Sequence, residues 1–388
     1  MSSTANQTSY HYVPELVWGT TPATPAFNQL RYTSSSLDDS ITTEKSQEIR
    51  SDRGVSDIIP VDASIGGGLS IEFSFDSYHD FLEALLMGTW TDSGVTDNFT
   101  TITAASDNVT AATPGAFDDV TVGQLIRLDG FVDTDLNRDY RVTAKADSQT
   151  LTVTPIPASA EVGAGTTLVG SWLKNGTTER SFSIEERFAD ASPATTRIFK
   201  GMRVGSLSLD LASGSLVTGE FSLLGKSAEW DEAQAGATYA GVNSTDTLNA
   251  VTNIDSLILG GSSLCASGAM SQMTFTYDNQ HRERKGLCNL GSVGVVAGQI
   301  MAQVSATMYF VNATEAQKFK AATSFSLIFG LRDPADNVYD FYLPRMKYSQ
   351  YAVQGDGLDS DVMADATIEG LHDATLGCTI IVSRLPGA

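Results

Sequence analysis

Gly66-Gly-Gly-Leu-Ser-Ile-Glu-Phe-Ser-Phe-Asp-Ser-Tyr-His-Asp-Phe-Leu-Glu-Ala-Leu-Leu-Met-Gly-Thr-Trp90 is the stretch from which the fold can be read. Leu69, Ile71, Phe73 and Phe75 alternate with Ser70, Glu72 and Ser74. That period of two predicts a strand with one face buried and one face wet. At Asp76 the period changes. Tyr78, Phe81, Leu82, Leu85 and Leu86 then fall on one helical stripe. Ser77 is placed to cap this helix, Asp80 to complement its dipole in the first turn, and Gly88 to end it. The unit is a long strand followed by a short amphipathic helix.

The same unit recurs. Ala302, Val304, Ala306, Met308 and Phe310 alternate with Gln303, Ser305, Thr307 and Tyr309, and a short helix is predicted over Thr314–Ala322. Asn312 reads as its cap and Glu315 as the capping-box partner. Ser181-Phe-Ser-Ile184 is similar to Ser324-Phe-Ser-Leu327, and Phe199–Val204 to Phe341–Met346. Val217–Leu223 has the parity of Val362–Ile368. The common order predicts an internal duplication.

Length, at 388 residues, allows two or three domains, and 41% hydrophobic residues suffice for a core. Abundant Gly and short helical runs favour a β-dominated class. The net charge of -22 gives a surface that repels nucleic acid rather than holding it. Cys265, Cys288 and Cys378 lack disulfide or zinc spacing and read as reduced, buried, small apolar residues. The N-terminus carries no signal-peptide pattern and no run approaches ~20 apolar residues, so neither secretion nor a membrane partner is expected.

Residues 1–30 read as an arm broken by Pro14, Pro22 and Pro25, whose Val13, Leu16, Val17, Trp18 and Phe27 pack on the chain's own body or on a neighbour. Residues 31–91 and 175–226 form the two parts of a first module, with residues 31–60 as two exposed strands joined by a loop. Residues 92–174 interrupt it with short β segments and read as a small inserted β domain on an exposed face. Residues 227–255 read as a linker and residues 256–388 as the second module, with a last strand near Ala374–Leu385. The fold class is mainly β: two tandem β-sandwich modules, each with a short helix, plus the inserted domain.

No catalytic set emerges. His11, His79, His281 and His372 are scattered, and His79 and His281 read as solvated. Gly66–Gly68 precedes a strand rather than a helix, so it lacks the dipole of a phosphate loop. Asp118-Asp119 and the Asp356–Asp361 run lack a full calcium loop. No metal, cofactor or enzyme activity is expected. The wet faces say more. Ser70, Glu72, Ser74, Ser208, Asp210, Thr218, Glu220, Ser222, Ser305, Thr307, Asp365 and Thr367 are hydroxyls and carboxylates. An acidic, smooth face of this kind lets a polyanion slide, whereas Lys or Arg would hold its phosphates.

Tyr12-Val-Pro-Glu-Leu-Val-Trp-Gly-Thr-Thr-Pro22, Ser46-Gln-Glu-Ile-Arg-Ser-Asp-Arg53, the Gly-rich strand ending toward Trp90, Phe199-Lys-Gly-Met202 and Gly225-Lys226 occur in this order. The ordered set resembles the tail tube proteins of bacteriophages with long, non-contractile tails. The resemblance implies stacked rings whose sheets join into one β-barrel around a channel for ejected DNA. It also implies, as partners, further copies of the chain, a tape measure protein, a tail terminator and a distal tail protein, with assembly in the host cytoplasm. Glu48, Arg50, Asp52 and Arg53 on one loop, Arg282, Glu283 and Arg284 on another, and Trp18 on the arm are the expected contacts between rings or subunits. Six single modules close a ring in such proteins, so two joined modules predict a trimer, with a hexamer as the other possibility. An adhesin-like carbohydrate-binding protein is the alternative from another class. An enzyme on polysaccharide, which needs two carboxylates flanking a sugar cleft, is a third.

Overall fold

The computed structural model describes residues 4–102, 107–191, 195–232, 236–265, 267–355 and 357–387. Asp356, at the head of the Asp356–Asp361 run, lies outside them. The chain is mainly β. Its principal strands are β1 (Thr8–Pro14), β2 (Asp38–Lys45), β3 (Ile58–Glu72), β4 (Phe182–Phe188), β5 (Thr195–Ala212) and β6 (Thr218–Leu224). They continue with β7 (Met270–Asp278), β8 (Met301–Tyr309), β9 (Phe325–Arg332), β10 (Val338–Gln354), β11 (Met363–Gly370) and β12 (Ile381–Leu385). Helix α1 (His79–Leu86) follows β3, and α2 (Thr314–Lys320) follows β8.

The pairing repeats. In the first module β2 pairs with β3, β3 with β6, β6 with β5 and β5 with β4, all antiparallel. In the second, β7 pairs with β8, β8 with β11, β11 with β10 and β10 with β9. Even the irregularities coincide. The ladder slips between Val204 and Ser206 in β5, and between Tyr348 and Gln350 in β10. It slips again between Phe182 and Ile184 in β4, and between Phe325 and Leu327 in β9. Bulges bend a strand, and here each long strand passes from an outer layer into an inner sheet. One expectation needs correction. The registers match Met202 with Met346 and Phe199 with Leu343, two residues from the alignment expected from sequence. A slip of two leaves strand parity unchanged, so alternation cannot detect it.

The inner sheet runs β2-β3-β6-β5-β7-β8-β11-β10. Its two halves meet at β5·β7, where Ser206 faces Asp278 and Ala212 faces Gln272. The outer layer holds β1, β4 and the first half of β5 on one side. On the other it holds β9, the first half of β10, and β12. One continuous core fills the space between, and Phe73 packs on Tyr339 at 5.7 Å and on Phe341 at 6.3 Å across the module boundary. The modules are therefore repeats that share a core.

The helices depart from their expected caps. Tyr78, not Ser77, precedes α1, and the Ser77 hydroxyl lies 2.6 Å from that of Ser74. Met87, at φ 51°, ends the helix in the left-handed conformation. Gly88 serves packing instead, since a Cβ there would lie 2.2 Å from the Lys174 carbonyl oxygen. Helix α2 stops at Lys320. Asn312 accepts the Thr314 amide at 2.8 Å, but Glu315 pairs with Lys318 and accepts the Tyr348 hydroxyl instead of closing a box.

Within the insertion, seven strands from Val95 to Val169 form a separate sheet over a core that includes Phe99, Phe117, Ile126, Tyr140 and Leu168. Thr91–Asp92 and Ser171–Lys174 belong to the main body, where they pair with each other and, through Ser171–Lys174, with β12. The linker is likewise not free chain: Ser227–Glu232 pairs with the first half of β5. The arm packs on its own body. β1 pairs with β4 along seven residues, and Tyr12, Val13 and Phe27 are buried.

Candidate channel face

Alternation sets the inner sheet's wet face. Leu207, Leu209, Phe221, Leu223, Phe275, Val304 and Ile368 turn into the core, and their neighbours turn out. One row across the ladder reads Glu72, Thr218, Asp210, Thr274, Ser305, Thr367 and Gln350. The next reads Ser70, Glu220, Ser208, Thr276, Gln303 and Glu369. Thr307 and Asp365 face each other in a further row. Eleven of the twelve residues singled out from sequence thus share one face and reach solvent, Ser222 among them.

Ser74 is the exception. It lies beyond the end of β3, is fully buried, and bonds Ser77. Parity cannot announce where a strand ends, so alternation carried the expectation two residues too far.

Cross-strand hydroxyls fix the carboxylates. Thr274 donates to Asp210 at 2.7 Å, and Thr307 donates to Asp365 at 3.0 Å. These bonds are charge-assisted and hold each acid flat on its own sheet. Gly68 plays a part as well: a Cβ there would meet the Glu220 carboxylate at 2.3 Å. Glycine leaves room for the Glu220 side chain over β3. The face does contain a cation. Lys347 stands opposite Glu369 at the end of the second row, at the parity of the acids.

Sequence reasoning missed Gln272, Thr274, Thr276 and Asp278 on β7. Their alternation with Met273, Phe275 and Tyr277 was there to be read.

The expected contact residues fall into two groups. Glu48, Arg50, Asp52 and Arg53 are exposed on the β2–β3 connection, with Arg50 and Asp52 paired at 2.8 Å. Arg282 and Arg284 are exposed too, but on a strand, since Arg282–Lys285 pairs with Ser292–Val296. Glu283 is engaged within the chain: it accepts from Ser64 at 3.1 Å and pairs with Lys285 at 2.9 Å. Trp18 is also claimed by its own body. Its indole donates to the Gly201 carbonyl at 3.0 Å and lies under Lys226. The exposed apolar residues of the arm are Leu16 and Val17.

Other expectations are also revised. Cys265 and Cys288 are exposed and Cys378 buried. His79 stacks on Trp90 at 4.8 Å, and burial lowers its pKa; burial also lowers that of His281. The insertion is locked to the second module, although it interrupts the first. Arg141 pairs with the buried Asp340 at 2.7 Å, and Arg127 donates to the Asp336 and Pro386 carbonyls at 3.0 Å. Burial raises the Asp340 pKa while Arg141 opposes that rise.

The chain is thus a mainly β protein of two repeated modules with a shared core and one largely acidic wet face. The family model for the phage tail tube protein matches residues 5–370. The chain belongs to the phage tail tube protein family, whose members are structural components of the virion tail. No curated protein matches it. Among solved structures, a phage phi92 endosialidase is similar at 10% identity and a TM-score of 0.16, over 99% of this chain and 59% of the endosialidase. The chain spans 59% of the length of that protein, and the likeness is too slight to bear on fold or chemistry.

Proposed function

We propose that this chain self-assembles into stacked rings that form the tube of a long, non-contractile phage tail. The wet face of the inner sheet lines the channel through which DNA leaves. The observation that carries this reading is the eight-stranded inner sheet itself: one connectivity, twice, in one unbroken ladder. Each module occupies one ring position, so three chains complete a ring with true three-fold and approximate six-fold symmetry.

Dimensions favour three chains over two. Twenty-four strands spaced by roughly 4.8 Å and tilted by about 40° close a barrel about 48 Å across its backbone. Side chains of about 5 Å on each wall leave a bore of about 38 Å, ample for a hydrated duplex. Sixteen strands leave a bore of about 22 Å, which a hydrated duplex would fill. Carboxylates and hydroxyls dominate that bore, and Lys347 stands opposite Glu369, so phosphates find little to hold them and DNA slides.

The insertion docks on the outer layer, through Asp340 of β10 and Ser383 of β12, and projects as three lobes per ring. The exposed β2–β3 connection and the Arg282–Lys285 ribbon are the contacts between stacked rings. A tape measure protein inside the tube, a terminator and a distal tail protein at its ends are the further partners, met in the host cytoplasm. Negative-stain images of the concentrated protein test the reading. Rings or tubes support it, and monodisperse globules at every concentration contradict it.

A further inference from the structure

The inner sheet has two open edges. Among the described residues no strand pairs with the far edge of β2, nor with the far edge of β10 beyond Met346. Such edges present unpaired backbone groups and are templates for another strand. The duplication says which strand. In the second module β7 takes the place that segment 34–40 takes in the first. Ser34 faces Ser70 and Asp38 faces Gly66, as Gln272 faces Thr307 and Thr276 faces Gln303. Likewise β10 is the counterpart of β5. The β5·β7 seam is therefore a module-to-module junction made within one chain.

We infer that copies of this chain join head to tail by repeating that seam, with the β10 edge of one copy pairing antiparallel to segment 34–40 of the next. The register carries over residue by residue. Ser206 faces Asp278 and Ser208 faces Thr276 inside the chain. Gln350 of one copy then faces Ser40 of the next, Ala352 faces Asp38, and Gln354 faces Ser36. The parity agrees, since these six positions continue the wet face, although the Asp38 carboxylate is paired at 2.8 Å with Arg197 of its own chain. On the other face Val353 meets Leu37, as Leu209 meets Phe275 within the chain.

Exposure marks the β10 side of the site. Leu209 and Phe275 are 0% and 1% exposed at the internal seam; Leu37, the counterpart of Phe275, is already buried in its own chain, while Val353, the counterpart of Leu209, is 44% exposed at the open edge. A second copy would cover it. The two edges differ, so the junction is heterologous, and such a junction makes rings when its rotation closes. This inference rests on the ring-forming reading and adds its partner strand and register.

Cysteine pairs test it in a Cys265→Ser, Cys288→Ser background. Directly opposed strand residues have Cα atoms about 4.5–5.5 Å apart, within disulfide reach, whereas diagonal neighbours lie at roughly 7–8 Å. Ala352→Cys with Asp38→Cys, and independently Gln350→Cys with Ser40→Cys, are the in-register pairs. Ala352→Cys with Ser40→Cys is the displaced control. In assembled rings under mild oxidation, the in-register pairs move most of the chain into two- and three-chain bands. The displaced pair does so about tenfold less. Rings that form while only the displaced pair links, or while neither pair links, overturn this register and leave the ring reading standing. Chains that never assemble overturn both.

Discussion

In the first module α1 lies beneath the sandwich with Phe81, Leu82, Leu85 and Leu86 buried, while α2, at the same place in the order, buries none of its residues fully. Between helix and next strand the first module carries the whole insertion, whereas the second passes from Lys320 to Phe325 in a short turn. Yet the strands around both helices pair identically. The ladder is what the two modules preserve, and the helix and loop outside it are where they diverge. Backbone pairing and period-two alternation constrain the ladder at every residue. A helix on the far side of the sandwich has only its own contacts to keep, and a loop on the surface has fewer still.

The largest test of that contrast truncates one aromatic side chain on each helix. Phe81 is 1% exposed and stacks on Phe182 at 5.0 Å. Phe81→Ala should cost about 3–5 kcal/mol in urea unfolding, and Phe319→Ala, at a partly buried site, less than about 1.5. Equal costs would mean that α2 is as integral as α1.

Next is the anchor of the insertion on the second module. Arg141→Met leaves the Asp340 carboxylate buried without its cation. About 3 kcal/mol should be lost, because an uncompensated buried charge is costlier than the pair. Asp340→Asn in the same chain should restore part of it. A fully additive double variant would show that the two side chains are not coupled.

A smaller effect distinguishes the arm. His11 is buried beside Arg187, and burial lowers its pKa to about 4. The unfolded chain takes up this proton near pH 6.5. Because the folded pKa is the lower one, its contribution is complete above that pH and fades as pH falls toward 4. About 2 kcal/mol should be lost over that window in the natural chain and not in His11→Phe. Parallel pH profiles would remove His11 as the cause.

The smallest effect compares equivalent acids on the wet face. Glu220 faces Ser70 and Ser208, and Asp365 faces Thr307 and Ala352, at matching ladder positions. Glu220→Lys and Asp365→Lys should each change stability by less than about 0.5 kcal/mol. Together they should leave rings intact and slow DNA exit from assembled tails. Unchanged exit rates would separate the acids from passage.

Much of this was legible in the sequence, and the physics explains what was not. The alternation in Leu69–Glu72, Met301–Tyr309 and Thr218–Leu224 exposed both the strands and the wet face, because burial on one side imposes it. Ser181–Ile184 and Ser324–Leu327 aligned correctly, since both lie at the same bulge. The match of Phe199 with Phe341 slipped by two, which parity permits. Ser74 went astray because nothing in the pattern marks a strand's last residue. The packing of Trp18 on its own body was hidden because its acceptor, the Gly201 carbonyl, lies far along the chain. The docking of Arg141 on Asp340 was hidden for the same reason, as neither residue has a local motif.

Rotational symmetry in end-on electron micrographs of assembled rings tests the central claim most directly, that one chain fills two ring positions. Three outer lobes on a channel of approximate six-fold symmetry are the predicted result. Six equivalent lobes would contradict it, because each chain would then occupy a single position.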